Sequence, residues 1–466
     1  MLIRFNIKNF LSFDKQYDGK SEEFTMITGK VRSKEERLYK NENVKLLKFA
    51  ALYGANASGK SNFVKALNFM QETVVTGRLP TGYSNFYCKT VEENRNKESY
   101  FEIQLMINNK YYLYGFTVLL STGEFLSEWL YEVSKDSEKQ IFERDIKNGK
   151  FSIEPIQDKE LASKFKVYTD DIKKNVGLLF LYFMNDNKDN LYQDFKNEYQ
   201  VQVFKNVYEW FANVLDINYP DRPISSSLYL TDEKKIKLAS ELLKAFDTGI
   251  HELQLVEIPV KNIEDNNLPK GLLTKLISKM ELDIKNITNQ QKNIKQFHSI
   301  LRSKKDYYIF SGSSVENMRC QSLKFKHNNI NPLFDFIEES DGTIRILELL
   351  DIILSEEKKV YVIDEFDRCL HPNLTYKFIQ TFFKYVADKL DVQLIVTTHE
   401  SRLLDFHLLR RDEIWFIDKK QEGNCDIYSL DEYNERFDKK IDKAYLEGRY
   451  GGVPLFTTIF PVEELD

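Results

Sequence analysis

The sequence predicts an α/β fold: a parallel-sheet core assembled from both ends of the chain, with an antiparallel β subdomain and a helical insertion. Three observations lead there. An apolar run, FAALY at 49–53, passes through a glycine-rich turn into a helical pattern. Residues 331–419 read as helix, strand, helix and strand, the alternation of parallel βα units. Residues 98–152 alternate apolar and polar positions, broken by Asn-Asn-Lys and Ser-Thr-Gly turns, as antiparallel hairpins do.

At 466 residues the chain can form two or three compact units. The pattern divides it into residues 1–157, the N-terminal part of the core with the antiparallel sheet; 158–320, the helical insertion; and 321–466, the C-terminal part of the core. LIRFNIKNFL and EFTMITG near the start read as strands, and the charged stretch at 30–45 as a solvated loop or hairpin. From Ser61 onward Phe63, Leu67, Phe69 and Met70 mark one apolar helix face. The insertion is rich in Lys, Asn, Phe and Leu, and its stretch 269–305 reads as one or two long helices. The net charge of -6 gives no support for a globally basic nucleic-acid binder. No apolar run approaches the roughly 20 residues needed to cross a bilayer. The first residues lack the features of a signal peptide, so the cytoplasm is the expected location. Cys88, Cys320, Cys369 and Cys425 are dispersed without a CxxC pair, which predicts buried free thiols rather than a zinc site or a disulfide framework.

GANASGKS at 54–61 has the spacing of a phosphate-binding loop, with an apolar strand before it and a helix after. Gly54, Asn56, Ala57, Ser58 and Gly59 would curl backbone N–H groups around phosphates, at the positive end of the helix dipole. Lys60 would neutralise the β- and γ-phosphates, and the Ser61 hydroxyl would ligate magnesium. The plain alternative, a flexible glycine turn, does not require both flanks.

KVYVIDEFDRCLHP at 359–372 is an apolar strand ending in two carboxylates. Asp364 is placed to hold magnesium with Ser61, and Glu365 to polarise an attacking water. A strand end with two solvated acids is the bland reading, which the upstream loop weakens. A third apolar strand, LIVTTHES at 394–401, delivers His399 to the same strand ends, where it would reach the γ-phosphate or cap a following helix. Ser340 and Gly342, in EESDGTIRILELL, begin an amphipathic helix; Ser340 is either a simple N-cap or part of an anion-binding helix start. Asp367 follows the acidic pair. Asn85, or a glutamine in a later strand such as Gln104, is a candidate for one further polar residue of the site.

The order of P-loop, long insertion, Ser-x-Gly element, acidic pair and histidine resembles the ABC-type P-loop ATPases, including the SMC and RecF group. That resemblance implies ATP and Mg2+ as ligands and a homodimer, in which Ser340 and Gly342 of one copy close on the ATP of the other and Asp367 lies in the crossing D-loop. Asp341 departs from the glycine usual in transporter signatures. NIKNFLSF, EFTMITG, FDTGI (246–250), ESDGTIR (339–345), DEFDRCLHP (364–372) and LEGRYGGVP (446–454) further resemble the AAA-type ATPases of bacterial phage-defence operons. RloA and AbiL (AbiLi) abortive-infection ATPases are the nearest type, with the PARIS ATPase and OLD-family ATPase domains more distant. The implied function is a sensor and switch, in a dimer or an oligomer of dimers, that answers a phage or nucleic acid trigger. It would control a separately encoded effector such as a Toprim-type or RloB-like nuclease, with no membrane involved. The alternative is a RecF-like or SMC-like DNA-repair ATPase that binds DNA itself. Lys270, Lys275, Lys279, Lys285, Lys292, Lys295, Arg302, Lys304 and Lys305 would serve nucleic acid or an acidic partner, or form a solvated helix face.

Overall fold

The computed structural model describes residues 1–15, 20–135, 137–220, 228–259, 271, 275, 278, 297–303, 306–312, 317–328, 330–386, 392–433 and 441–451. The chain forms two compact units, one of Met1–Asp221, Glu357–Asp367 and Val386–Asp466, the other of Arg222–Glu356 and Arg368–Tyr385.

The first unit contains the parallel core. Its strands run in the order β11 (Leu215–Asn218), β17 (Val360–Ile363), β18 (Gln393–Thr397), β5 (Phe49–Tyr53), β19 (Ile414–Lys419) and β20 (Cys425–Ser429). The first five are parallel and β20 closes the sheet antiparallel. VYVI, QLIVT and FAALY are buried at every position, as strands covered on both faces must be.

A seven-stranded antiparallel sheet accompanies it, in the order β10 (Lys150–Ile153), β9 (Glu138–Asp145), β8 (Glu124–Val133), β7 (Lys110–Leu119), β6 (Ser99–Ile107), β1 (Leu2–Lys8) and β2 (Glu22–Thr25). The turn between β6 and β7 takes Asn108 and Asn109 at positive φ, the two-residue hairpin geometry that asparagine tolerates. Helix α1 (Lys60–Thr76) packs between the two sheets. Phe63 meets Phe5 and Phe24 with ring centroids 5.9 and 5.1 Å apart, and Phe69 meets Phe10 and Phe101 at 5.0 and 4.9 Å.

Helices α2 (Lys159–Ile172), α3 (Phe180–Phe183), α4 (Asp189–Asp194) and α5 (Tyr199–Glu209) follow. Phe142 of β9 lies 5.1 Å from Phe180 and 5.6 Å from Phe204. A buried pair, Glu128 and Arg144, anchors this layer. Glu128 accepts the N–H groups of Phe180 and Leu181, while Arg144 donates to the carbonyls of Ile172, Asn175 and Leu178. Two N–H groups at the start of α3 and a carbonyl at the end of α2 thus find charged partners.

The second unit contains β12 (Ile250–Ile258), β15 (Arg319–His327), β14 (Tyr307–Gly312) and β13 (Phe297–Arg302) in that order, with β16 (Phe334–Asp335) paired to β15. Helices α6 (Glu233–Ala245), α7 (Asp341–Leu354) and α8 (Pro372–Val386) belong to it.

The stretch 158–320, expected to be helical, is so only in part. Helix persists through Glu209 and a π-turn to Val214; then β11 joins the core, and beyond α6 the chain turns to strands. Four residues of LDIN are too few to reveal a period, and IHELQLVEI becomes a strand through distant β15. Most of the expected long helix at 269–305 lies outside the described residues, with Lys270, Lys279, Lys285, Lys292, Lys295, Lys304 and Lys305. Lys275 is exposed. Arg302 turns inward instead, paired with Glu348 and set over the rings of Tyr307 and Phe336.

The charged stretch 30–45 does form a short hairpin, β3 (Tyr39–Lys40) and β4 (Lys45–Leu46), but it is not wholly solvated. Arg37 is buried and donates to the carbonyl of Leu408 at 2.9 Å, and Arg410 donates to the carbonyls of Val31 and Ser33. Cys88, Cys320 and Cys425 are buried free thiols, whereas Cys369 is exposed. No helix among the described residues is long and apolar enough to cross a membrane.

One buried amide joins the two sheets. Gln393 accepts from the N–H of Leu2 at 2.7 Å and donates to the carbonyls of Leu2 and Leu47 at 3.0 Å each. Gln393→Leu keeps the volume but strands three backbone groups, so urea denaturation is expected to show a loss of about 3 kcal/mol. An unchanged unfolding midpoint would contradict this account of the junction.

Candidate nucleotide site

The parallel sheet places the carboxyl ends of β5, β18 and β17 side by side, and the predicted residues of the first unit are found there. After β5 the chain turns at Gly54, where a Cβ would sit 2.3 Å from Ser58 Oγ and 2.5 Å from the carbonyl of Ile417. Only glycine fits. Ala57 at φ +61° and Gly59 at φ +104° adopt the left-handed conformation that turns successive N–H groups to one side. Gly59 is the N-cap of α1 and supplies no side-chain cap, so the first turn keeps N–H groups directed at an anion. Asn56 and Ala57 are exposed on the loop, Ser61 is half-buried, and Ser58 Oγ is buried without a hydrogen-bond partner among the described residues.

Lys60 is buried and donates to the carbonyls of Gly54 at 2.7 Å and Ala55 at 3.0 Å. Burial lowers its ammonium to about 8, against the opposing pull of Asp364, Asp367 and Glu365. These carboxylates therefore share the electrostatic environment of the lysine.

Asp364, buried at the end of β17, accepts from the Thr397 hydroxyl at 2.6 Å, and its N–H donates to the carbonyl of Asn218 at 2.9 Å. The same Thr397 hydroxyl accepts from the N–H of Glu365 at 2.9 Å. Glu365 itself is exposed and sits at φ +50°, an uncommon conformation for a glutamate, which the Thr397 contact stabilises. Asp367 accepts from the His399 N–H at 3.2 Å. The His399 imidazole is pushed down by partial desolvation and then by Lys60, against the pull of Asp367, Glu365 and Asp364, so it is neutral at neutral pH.

Ser340 and Gly342 lie in the second unit. Ser340 Oγ accepts from the Thr343 N–H at 3.1 Å, so the N-cap geometry is realised. A Cβ at Gly342 would lie 2.8 Å from the carbonyl of Cys369, which explains the glycine.

Thr397 holds the Asp364 carboxylate and the backbone of Glu365, a role that a threonine in an apolar strand does not announce. Asn218 is the second residue beyond sequence reasoning: β11 puts it beside Asp364, and no local signal marks that strand. The candidates Asn85 and Gln104 lie off the core sheet. Gln104 pairs with Arg4 in the antiparallel sheet. Asn85 lines a hollow of about 520 Å³ with Ser12, Asn62, Tyr87, Lys89 and Thr90. Ser12 links that hollow to the loop, accepting from Asn62 at 3.0 Å and lying 2.9 Å from where a Gly59 Cβ would be.

A strand–GANASGKS–helix unit, with a histidine-bearing strand inserted between it and the acidic strand, defines a P-loop ATPase core of ABC type. The chain belongs to the family described as "AAA domain, putative AbiEii toxin, Type IV TA system", whose profile matches residues 49–173 and 192–405. No curated protein matches it. Among solved structures it is similar to an SMC head bound to the C-winged helix domain of ScpA, at 12% identity and TM-score 0.41, covering 92% of this chain and 97% of that one. It is also similar to the SMC head domain from Thermotoga maritima, at 12% identity and TM-score 0.33, covering 92% and 98%. The architecture is read from the chain's own strand order.

Two outcomes follow from this geometry. Thr397→Val preserves shape but removes both hydroxyl contacts, so kcat for ATP is expected to fall roughly 10–100-fold, with a stability loss of about 1–3 kcal/mol from the groups it strands; equal kcat would contradict the role of Thr397. Lys60 attracts phosphate only when protonated, so affinity for a fluorescent ATP analogue should be level below its value of about 8 and weaken above it. From pH 7 to pH 9 the expected loss is about tenfold, and a flat profile in Kd would contradict it.

Proposed function

We propose that this protein binds and hydrolyses ATP as the switch of an anti-phage abortive-infection system, controlling a separately encoded effector, of which a Toprim-type or RloB-like nuclease is the expected kind. The observation that carries the ATPase reading is the single hydroxyl of Thr397, which orders Asp364 and Glu365 near Lys60 and His399. The defence reading is supported by the family description, which names a type IV toxin–antitoxin protein. The resemblance of ESDGTIR, DEFDRCLHP and LEGRYGGVP to RloA and AbiL ATPases adds to it.

In this reading the N–H groups of residues 56–61 and the Lys60 ammonium bind the phosphates. The donor set fits magnesium, which takes one or two protein oxygens beside phosphate oxygens: Ser61 and Asp364 would hold it. When bound, the ion neutralises charge on the β- and γ-phosphates. Exposed Glu365 aligns and polarises the water that attacks the γ-phosphate, and neutral His399 donates a hydrogen bond there. Ser340 and Gly342 of a second copy complete the site, with Asp367 at the crossing. ATP then favours the closed dimer by its differential affinity for the closed and open states, which is what makes it a switch. The cytoplasm is the proposed location.

The decisive measurement is sizing of the Glu365→Gln variant with and without ATP and Mg2+. Glu365→Gln should lose at least about 100-fold in hydrolysis and associate into dimers only with ATP, while Lys60→Ala should neither bind nor associate. ATP-independent size would sink the composite site. Phage protection that survives Lys60→Ala would sink the switch, and DNA-stimulated hydrolysis would favour a RecF-like or SMC-like repair ATPase instead.

A further inference from the structure

Alternation along the seven-stranded antiparallel sheet sends Phe101, Ile103, Tyr114, Phe116 and Leu130 into the core. It leaves Tyr100, Glu102, Leu113, Trp129 and Tyr131 partly exposed on the other face. The strand register lines up one row across that face: Glu23, Asn6, Glu102, Gly115, Trp129 and Glu143, each opposite the next. The row holds three carboxylates and no basic residue.

Trp129 is the centre of the row. A Cβ at Gly115 would lie 2.4 Å from Trp129 Cζ2 and 2.6 Å from its Cε2, so the indole lies across the neighbouring strand and only glycine permits it there. The indole N–H donates to Glu102 at 3.1 Å, two strands away, and Asn6 donates to the other oxygen of that carboxylate at 3.1 Å. The Tyr100 ring stands 5.4 Å from the indole at an interplanar angle of 32°, which widens the aromatic surface. On the other side of Trp129, the Tyr131 hydroxyl donates to Glu143 at 2.7 Å.

Glu102 and Glu143 thus have neutral donors, and neither is ion-paired among the described residues. Glu23, at the end of the row, has Arg4 at 3.6 Å. Two uncompensated carboxylates therefore flank a fixed, partly exposed indole. The face of an indole attracts a cation, and a planar guanidinium can stack on it while its N–H groups reach carboxylates at the edge. The same carboxylates repel phosphate, which weighs against nucleic acid stacked on these rings.

We propose that this face docks a protein partner through an arginine, whose guanidinium stacks on Trp129 while Glu102 and Glu143 accept its N–H groups. Tryptophan, tyrosine and arginine are the residues in which protein interfaces concentrate their energy. Gly115 and Glu102 already hold the ring in place, so docking loses little side-chain entropy. The uncompensated acids draw a basic segment toward the row and orient it. The surface is independent of the nucleotide site, and it states the chemistry that a partner of this chain must present.

The test titrates full-length protein into a dye-labelled peptide of alternating arginine and glycine, read by fluorescence anisotropy. The same peptide with lysine for arginine and a dye-labelled oligothymidylate are run beside it, and the melting temperature of every variant is measured. Trp129→Leu should weaken binding of the arginine peptide about tenfold, and Glu102→Gln and Glu143→Gln about threefold each. The lysine peptide should bind the wild type at least about threefold more weakly than the arginine peptide. Glu102→Gln keeps an acceptor for the indole N–H, so it removes charge without removing packing. If Trp129→Leu does not fold, the Glu102→Gln, Glu143→Gln double variant carries the test with the indole in place, and wild-type affinity there would overturn the proposal. No measurable binding of the arginine peptide to the wild type would overturn it as well, and equal affinity for the lysine peptide would remove the guanidinium. An equal loss in Glu72→Gln, a carboxylate exposed on α1, would assign the effect to overall charge and overturn the docking surface. Binding of oligothymidylate that depends on Trp129, with the arginine peptide left unbound, would replace the protein partner by nucleic acid.

Discussion

Every proposed catalytic group of the first unit hangs from the carboxyl edge of one parallel sheet, and Thr397 is the hinge of that arrangement. Its hydroxyl donates to Asp364 and accepts from the N–H of Glu365, while its carbonyl accepts from Phe366. Three consecutive residues of one loop are thus read by one residue of the neighbouring strand. This register separates two adjacent carboxylates by role. Asp364 is buried and hydrogen-bonded, as a cation ligand must be, and Glu365 is turned to solvent, where water is.

The electrostatics follow from that geometry. A buried lysine beside three carboxylates loses hydration but gains opposite charge, and the balance leaves Lys60 lowered to about 8. It is still largely protonated at neutral pH. His399, half-buried and then pressed by the same ammonium, is shifted toward its neutral form, which can donate or accept. Phosphates entering this site would strengthen the charge on Lys60 rather than neutralise it, so ligand and protonation favour one another.

Local patterns carried much of the core into view. The P-loop, the acidic pair and the histidine strand were legible because each is a run of buried apolar residues ending in polar ones, and a parallel strand must look like that. The antiparallel sheet was legible from alternation and from asparagine turns. Strand β11 was not, since LDIN is four residues long and its partner lies about 145 positions away. The same holds for β12 to β14, where lysine and asparagine suggested helix but a distant strand decided the conformation. Arg37 and Arg302 looked solvated for a similar reason. A charge is legible in sequence, whereas the carbonyl or carboxylate that allows its burial is not.

What the sequence determined by itself is therefore the chemistry of the loop: glycines where a Cβ would collide, a lysine, a serine, and two carboxylates after an apolar run. Those requirements are local, imposed by sterics and charge within a few residues. What only the tertiary structure decided is which distant groups hold that chemistry in place. Thr397 fixes the Asp364 carboxylate and the Glu365 backbone, Asn218 borders them, and Gln393 ties the sheets together. Hydrogen bonds of this kind depend on register between strands and on packing across long sequence separations, and no local pattern encodes either.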